Sequence, residues 1–120
     1  LYLIRNNTIK QITKDHTLAA EMIECGILDK EQKSYSHILT RALGVNKEIE
    51  IDNISFNLYK EDIILLCSDG LSDMLSDQEL CAILTRNDDI VDKGHDLLQE
   101  ALNKGGYDNI TLILVQISGR

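Results

Sequence analysis

The chain has 120 residues, with 12 Lys and Arg against 20 Asp and Glu, for a formal net charge of -8. That length holds one domain and little more, and the 43% hydrophobic and 27% charged residues are those of an ordinary globular composition. The acidic balance excludes sequence-independent binding to nucleic acid or to an anionic membrane, because both need clustered Lys and Arg.

No apolar run approaches the roughly 20 residues needed to cross a bilayer. The N-terminus has no basic stretch leading into an apolar one, so no signal peptide is expected. Cys25, Cys67 and Cys81 are odd in number and lack CxxC spacing, which predicts reduced thiols in a cytoplasmic setting. Cys25 and Cys81 fall within apolar helical patterns and are expected to be buried. The chain begins at Leu1, without an initiator Met and inside an apolar stretch, which reads as a fragment.

In chain order, Leu1–Arg5 is apolar and extended, Asn6-Asn7 suits left-handed turn conformations, and Thr8–Thr13 alternates. Together these predict a hairpin. Asp15 or Thr17 then caps a helix through Leu18, Ala19, Met22 and Ile23, with Gly26 as its stop. Leu28–Lys33 adds a short helical turn, Ser34-Tyr35-Ser36 reads as surface loop, and Leu43-Gly44 closes a short segment containing Thr40 and Arg41. Glu48–Leu58 is predicted as one or two strands, broken or bulged at Asp52-Asn53.

Lys60-Glu61-Asp62 makes a turn into Ile63–Cys67, an unbroken apolar run that suits a strand buried on both faces. Ser76 opens a capping box with Glu79 ahead of Leu80, Ile83 and Leu84. A further helix carries Ile90, Leu97, Leu98, Ala101 and Leu102 and ends at Gly105-Gly106. Ile110–Ile117 is the last strand. Strands, two helices and a closing strand make an α+β pattern without repeats or linkers. Apolar strands packed by helices on one side only would leave a bare apolar face unless something else covers it.

Charge is unevenly spread. Residues 61–92 hold nine acids and a single base, Arg86, whereas the remaining residues balance. Such acids serve as helix caps and solvated turns, or they gather a cation. Two motifs bear on the second option. Cys67-Ser68-Asp69-Gly70 places an acid at the end of a buried strand, and Gly105-Gly106-Tyr107-Asp108-Asn109 places another at the entrance to the last strand. If the two strands are neighbours, Asp69 and Asp108 converge at one end of a sheet. Paired carboxylates suit hard divalent cations such as Mg²⁺ or Mn²⁺, and two such ions activate water for in-line attack on phosphorus. Each motif also has an ordinary reading, as an Asp-Gly turn with Gly at positive φ and as a helix stop followed by a loop. His16, His37 and His95 stand far apart and are expected to be structural or on the surface. Ser68 has no His near it in sequence to activate it as a nucleophile.

Ile63–Asp73, containing Ser68-Asp69-Gly70-Leu71, resembles the strand-plus-SDGL motif of the metal-dependent serine/threonine phosphatases of type 2C, of bacterial kind. Gly105–Thr111 resembles their closing G-x-DN-[IM]-T motif. Gln11–Thr17 is similar to their T-x-DH segment, and Leu39–Gly44 to their TRALG segment. The resemblance implies part of a four-layer α-β-β-α sandwich, with Mg or Mn in a two-metal centre between the sheets. It makes Asp69 and Asp108 metal ligands supported by Gly70, Asn109 and Ser68. Residues 20–38 correspond to a substrate flap containing Tyr35 and Ser36, here without the His-Pro that the family often carries.

The resemblance covers the C-terminal portion of that domain only. The family's first metal-binding acid, its DGxGG motif, its phosphate-contacting Arg and a GDSR-like segment belong to an N-terminal half that would be this chain's missing partner. The implied activity is hydrolysis of phosphoserine or phosphothreonine in proteins, the substrates being products of a bacterial serine/threonine kinase. These residues alone are expected to be inactive. The alternative is a non-catalytic, phosphatase-like module that binds or regulates a partner.

Overall fold

The computed structural model describes residues 1–27 and 35–119. In chain order its elements are β1 (Tyr2–Arg5), β2 (Thr8–Gln11), α1 (Leu18–Glu24), β3 (Ile63–Cys67), α2 (Asp69–Ser72), α3 (Asp77–Leu84), α4 (Ile90–Asn103) and β4 (Leu112–Gln116). They fall into two compact units, one formed by Leu1–Thr13 with Phe56–Arg120 and the other by Lys14–Ser55.

In the first unit, Asn6 and Asn7 take φ of 49° and 59°. Two consecutive left-handed residues match the twist of the flanking strands, so β1 and β2 pair antiparallel with Ile4 opposite Ile9. All four strands join one antiparallel sheet in the order β2-β1-β3-β4. Leu3 faces Ile64 on β3, and Ile64 faces Val115 on β4.

Side chains alternate across this sheet. Tyr2, Ile4, Ile63 and Leu65 point to the face covered by helices, where they pack with Leu71 and Leu75, with Leu80, Ile83 and Leu84 of α3, and with Leu97 and Ala101 of α4. Each Leu sealed here contributes about 1.5–3 kcal/mol by leaving water. The other face carries Leu66, Ile113 and Val115, and Ile113 is 58% exposed. Within these residues the run Ile63–Cys67 is covered by helices on one face, while Leu66 on the other is 41% exposed, the bare apolar face expected of strands packed on one side only.

The first long helix starts at the capping box that the sequence predicts, and the second at an acid not singled out from sequence as its cap. Ser76 accepts the N–H of Glu79 while the Glu79 carboxylate receives the N–H of Ser76, and Asp89 caps α4 by accepting the N–H of Val91 at 2.8 Å. Gly105 and Gly106, at φ of 127° and 53°, end α4. Among the described residues no helix is long and apolar enough to cross a membrane.

In the second unit, the choice between Asp15 and Thr17 resolves to Thr17, whose hydroxyl accepts the N–H of Ala20 at 3.2 Å. Gly26 stops α1 at φ 70°. Thr17 bridges Leu39, and Thr40 donates its N–H to the carbonyl of His16 at 3.0 Å. Asp52 receives Arg41 at 2.9 Å and lies 2.7 Å from the ring of His16. The Arg41 guanidinium and His16 hold its carboxyl below the usual carboxylate range.

Three sequence expectations meet a different outcome. Glu48–Leu58 forms no strand, and Ile51 is 81% exposed. Alternating apolar residues mark a potential face, but a strand exists only where a neighbour pairs with its backbone, and no described strand does so here. Cys25 is exposed, because it is the cap that closes α1 and lies beyond the helical repeat. Cys81 is half-buried, its thiol 3.4 Å from the carbonyl of Asn7. The predicted helical turn at Leu28–Lys33 lies outside the described residues, as does Ser34.

Candidate functional site

β3 and β4 are neighbours, and their last pair at this end is Cys67 with Leu112. The segments beyond that pair remain tied. Ser68 donates its N–H to the carbonyl of Thr111 at 2.9 Å. Its hydroxyl donates to the carbonyl of Asn109 at 3.2 Å and accepts the N–H of Thr111 at 3.0 Å. One serine thus makes three hydrogen bonds across the gap. Ser68 is also the residue that precedes α2, yet its side chain makes no cap bond to that helix, since the hydroxyl is committed to the opposite loop.

Gly70 brings the loops closer still. A Cβ built there would sit 2.2 Å from the carbonyl oxygen of Asn109, far inside any tolerated contact. Gly70 lies within α2 and not at a positive φ. Its role is to let two backbones touch, which corrects the ordinary Asp-Gly turn reading.

Asp69 is the first residue of α2 and Asp108 precedes β4, and both side chains are exposed. The clamp at Ser68 and the contact at Gly70 join the segments that carry them, so both acids stand at the same end of the sheet. One oxygen of Asp108 accepts the N–H of Asn109 at 2.7 Å. Asn109 takes part through its main chain, by that N–H and by the carbonyl bound to Ser68. Tyr35 and Ser36 belong to the other compact unit. Tyr35 is exposed there, and its carbonyl accepts the N–H groups of Ala19 and Ile38.

Asp73 was not singled out from sequence. It lies one turn after Asp69, and the two carboxylates approach within 4.8 Å. The i, i+4 spacing on a helix was the available signal. Exposed carboxylate oxygens are the donors that hard divalent cations prefer, and like charges this close repel in the absence of a cation. The donor set therefore fits such an ion. It is also incomplete, because a six-coordinate ion needs more oxygens than Asp69 and Asp108 can offer.

At the opposite end of β3, Asp62 is 2% exposed and fully committed. Arg5 reaches its two oxygens at 2.8 and 2.6 Å, and the N–H of Tyr59 donates to it at 2.7 Å. The Arg5 guanidinium is the main cause that pulls its carboxyl down to about 2, against a desolvation effect in the other direction. Arg5 also lies over the Tyr59 ring, 4.4 Å from its centre.

Comparison with known proteins supplies the remaining findings. A family model described as Stage II sporulation protein E (SpoIIE) matches residues 16–118. The serine/threonine phosphatase stp of Listeria welshimeri is 38% identical over 96% of this chain, which covers 47% of that protein. The Streptococcus agalactiae serine/threonine phosphatase structure superposes with a TM-score of 0.93 at 32% identity, over 98% of this chain and 50% of that one. The catalytic domain of the serine threonine protein phosphatase PstP, solved with two manganese ions, gives a TM-score of 0.86 at 33% identity over 98% and 49%. The chain spans about half the length of the Listeria and Streptococcus relatives it matches.

Proposed function

From its membership of the Stage II sporulation protein E (SpoIIE) family, we propose that this chain is the C-terminal portion of a protein that hydrolyses phosphoserine and phosphothreonine in other proteins. The observation that carries this reading is the tie between Ser68, Asn109 and Thr111. It fixes the loops of Asp69 and Asp108 against each other.

In this reading Asp69 and Asp108 hold divalent metal, Mn²⁺ or Mg²⁺, with further ligands from the other half of the domain. The bound metal supplies an activated water and neutralises charge on the phosphoryl group. Ser68 keeps the two ligand loops in register, and Gly70 removes the side chain that would push them apart. Asp73 adds negative potential beside Asp69. The flap role falls to the segment 20–38, of which 28–34 lie outside the described residues, with Tyr35 and Ser36 meeting the phosphoprotein substrate. A bacterial serine/threonine kinase generates that substrate, and the setting is cytoplasmic.

The test uses the intact protein, a phosphothreonine peptide and added Mn²⁺. Asp69→Ala and Asp108→Ala are each expected to lower turnover by at least about a hundredfold and to weaken Mn²⁺ binding in a direct titration. Undiminished turnover in either variant rejects the assignment. The 120 residues alone are expected to show no metal-dependent hydrolysis, because the ligand set they offer is partial.

A further inference from the structure

A cavity of about 650 Å³ opens at the end of the sheet away from Asp69 and Asp108, where β3 begins and β4 ends. Its lining includes Arg5, Lys60, Glu61, Asp62, Arg86 and Lys93. Two of these cations are already paired. Arg5 is bound to Asp62, and Arg86 reaches Asp96 at 3.0 Å. Lys60 and Glu61 are exposed at the rim.

Lys93 differs from all of them. It is only 5% exposed, yet among the described residues its ammonium has neither a hydrogen bond nor an ion pair. The sole sealed and unpartnered side-chain polar atom among the described residues is the Thr40 hydroxyl, so the Lys93 ammonium is open to the cavity that it lines. Its position compounds the cost. It lies near the start of α4, at the positive end of the helix dipole, where anions are favoured and cations are not. The stem is buried while the ammonium faces the cavity, so with no partner from the described residues it is met only by what enters that space. Among the described residues the other buried charged residue, Asp62, has three donors.

We propose that this cavity is a binding site for a small molecule carrying a phosphate group, held by the Lys93 ammonium from within and by Lys60 at the rim. A phosphate suits the site because lysine binds it as a point charge without the planar fork that carboxylate pairing with Arg exploits. The volume lies in the range that accommodates a small organic ligand and not merely a lone ion. Asn6, Asn7 and Asn87 offer neutral amide donors around it. This inference is independent of the phosphatase reading, since it uses none of the residues assigned to metal.

The experiment is an amide NMR titration of the protein with inorganic phosphate and with glycerol 3-phosphate, both in excess chelator so that the carboxylate end holds no metal. Saturable shifts are expected at Asn6, Lys60 and Lys93, with none at Ser68–Leu71 or Asp108–Thr111. Lys93→Gln is expected to weaken binding at least about tenfold, whereas Lys93→Arg stays within about threefold of the parent chain. Tighter binding of glycerol 3-phosphate than of phosphate supports an organic ligand; the reverse order assigns the site to free phosphate. Shifts no larger than those from sodium chloride at equal ionic strength overturn the proposal, and so does unchanged affinity in Lys93→Gln. Should that variant fail to fold, the location of the shifts in the parent chain decides alone.

Discussion

β3 is bracketed by two aspartates whose surroundings differ in every respect. Asp62, before the strand, is buried and saturated by Arg5 and the N–H of Tyr59. Asp69, after the strand, is exposed and stands within 4.8 Å of another carboxylate. Internal pairing ties the first acid to the fold. Exposure and like-charge crowding leave the second available to something outside the chain. One strand thus separates an acid that serves stability from one suited to chemistry.

The sharpest way to break that contrast is to neutralise each acid in the intact protein. Asp69→Asn is expected to cut metal-dependent phosphopeptide hydrolysis by at least about a hundredfold, with the denaturation midpoint almost unmoved. Asp62→Asn is expected to do the reverse, giving the largest loss of stability among these variants while leaving metal affinity intact. Equilibrium denaturation and metal titration on both proteins check the pair.

The pH response follows the same division. The Arg5 hydrogen bonds hold the Asp62 carboxyl near 2, and Lys104 together with the Ser76 cap holds Glu79 near 2 as well. A carboxyl depressed in the folded state stabilises above its unfolded pKa, and that contribution is lost as pH falls through the folded value. Stability is therefore expected to decline from about pH 4 toward pH 2. Asp62→Asn removes one contribution to that slope, and adding Glu79→Gln removes a second. A slope unchanged in the double variant contradicts the assignment.

Smaller effects probe the clamp and the helix starts. Gly70→Ala pushes a methyl into the carbonyl of Asn109 and is expected to cost about 1–3 kcal/mol, together with a drop in activity as the loops separate. Ser76→Ala removes the cap of α3 and is expected to cost about 0.5–2 kcal/mol with activity unchanged. Thermal denaturation alongside turnover distinguishes the two.

What the sequence disclosed was local. The Asn6-Asn7 hairpin, the Ser76–Glu79 box and the Gly105-Gly106 stop each depend on residues within a few positions of one another, so the pattern and its cause coincide. The adjacency of the Asp69 and Asp108 loops was legible as a conditional, through the apolar strands that each acid adjoins. The rest depended on distant partners. Asp62 looks like any turn acid until Arg5 arrives from the far end of the chain. Lys93 looks like a solvated helix lysine until its burial is seen. Glu48–Leu58 has strand-like alternation and, among the described residues, lacks the neighbour that would make it a strand. The resemblance marks Gly70 only as a supporting residue, and what requires glycine there is the Asn109 carbonyl and not a turn dihedral.

The order β2-β1-β3-β4 has a kinetic consequence. The hairpin and the capped helices close over short loops and form early, whereas the central ladder joins Leu3 to Ile64 and Ile64 to Val115. Contacts so far apart along the chain make the ladder the slow event in reaching the native state. Because the sequence contains no proline, isomerisation of X–Pro bonds adds no delay. The rate at which this sheet assembles is therefore the rate at which two remote segments find β3.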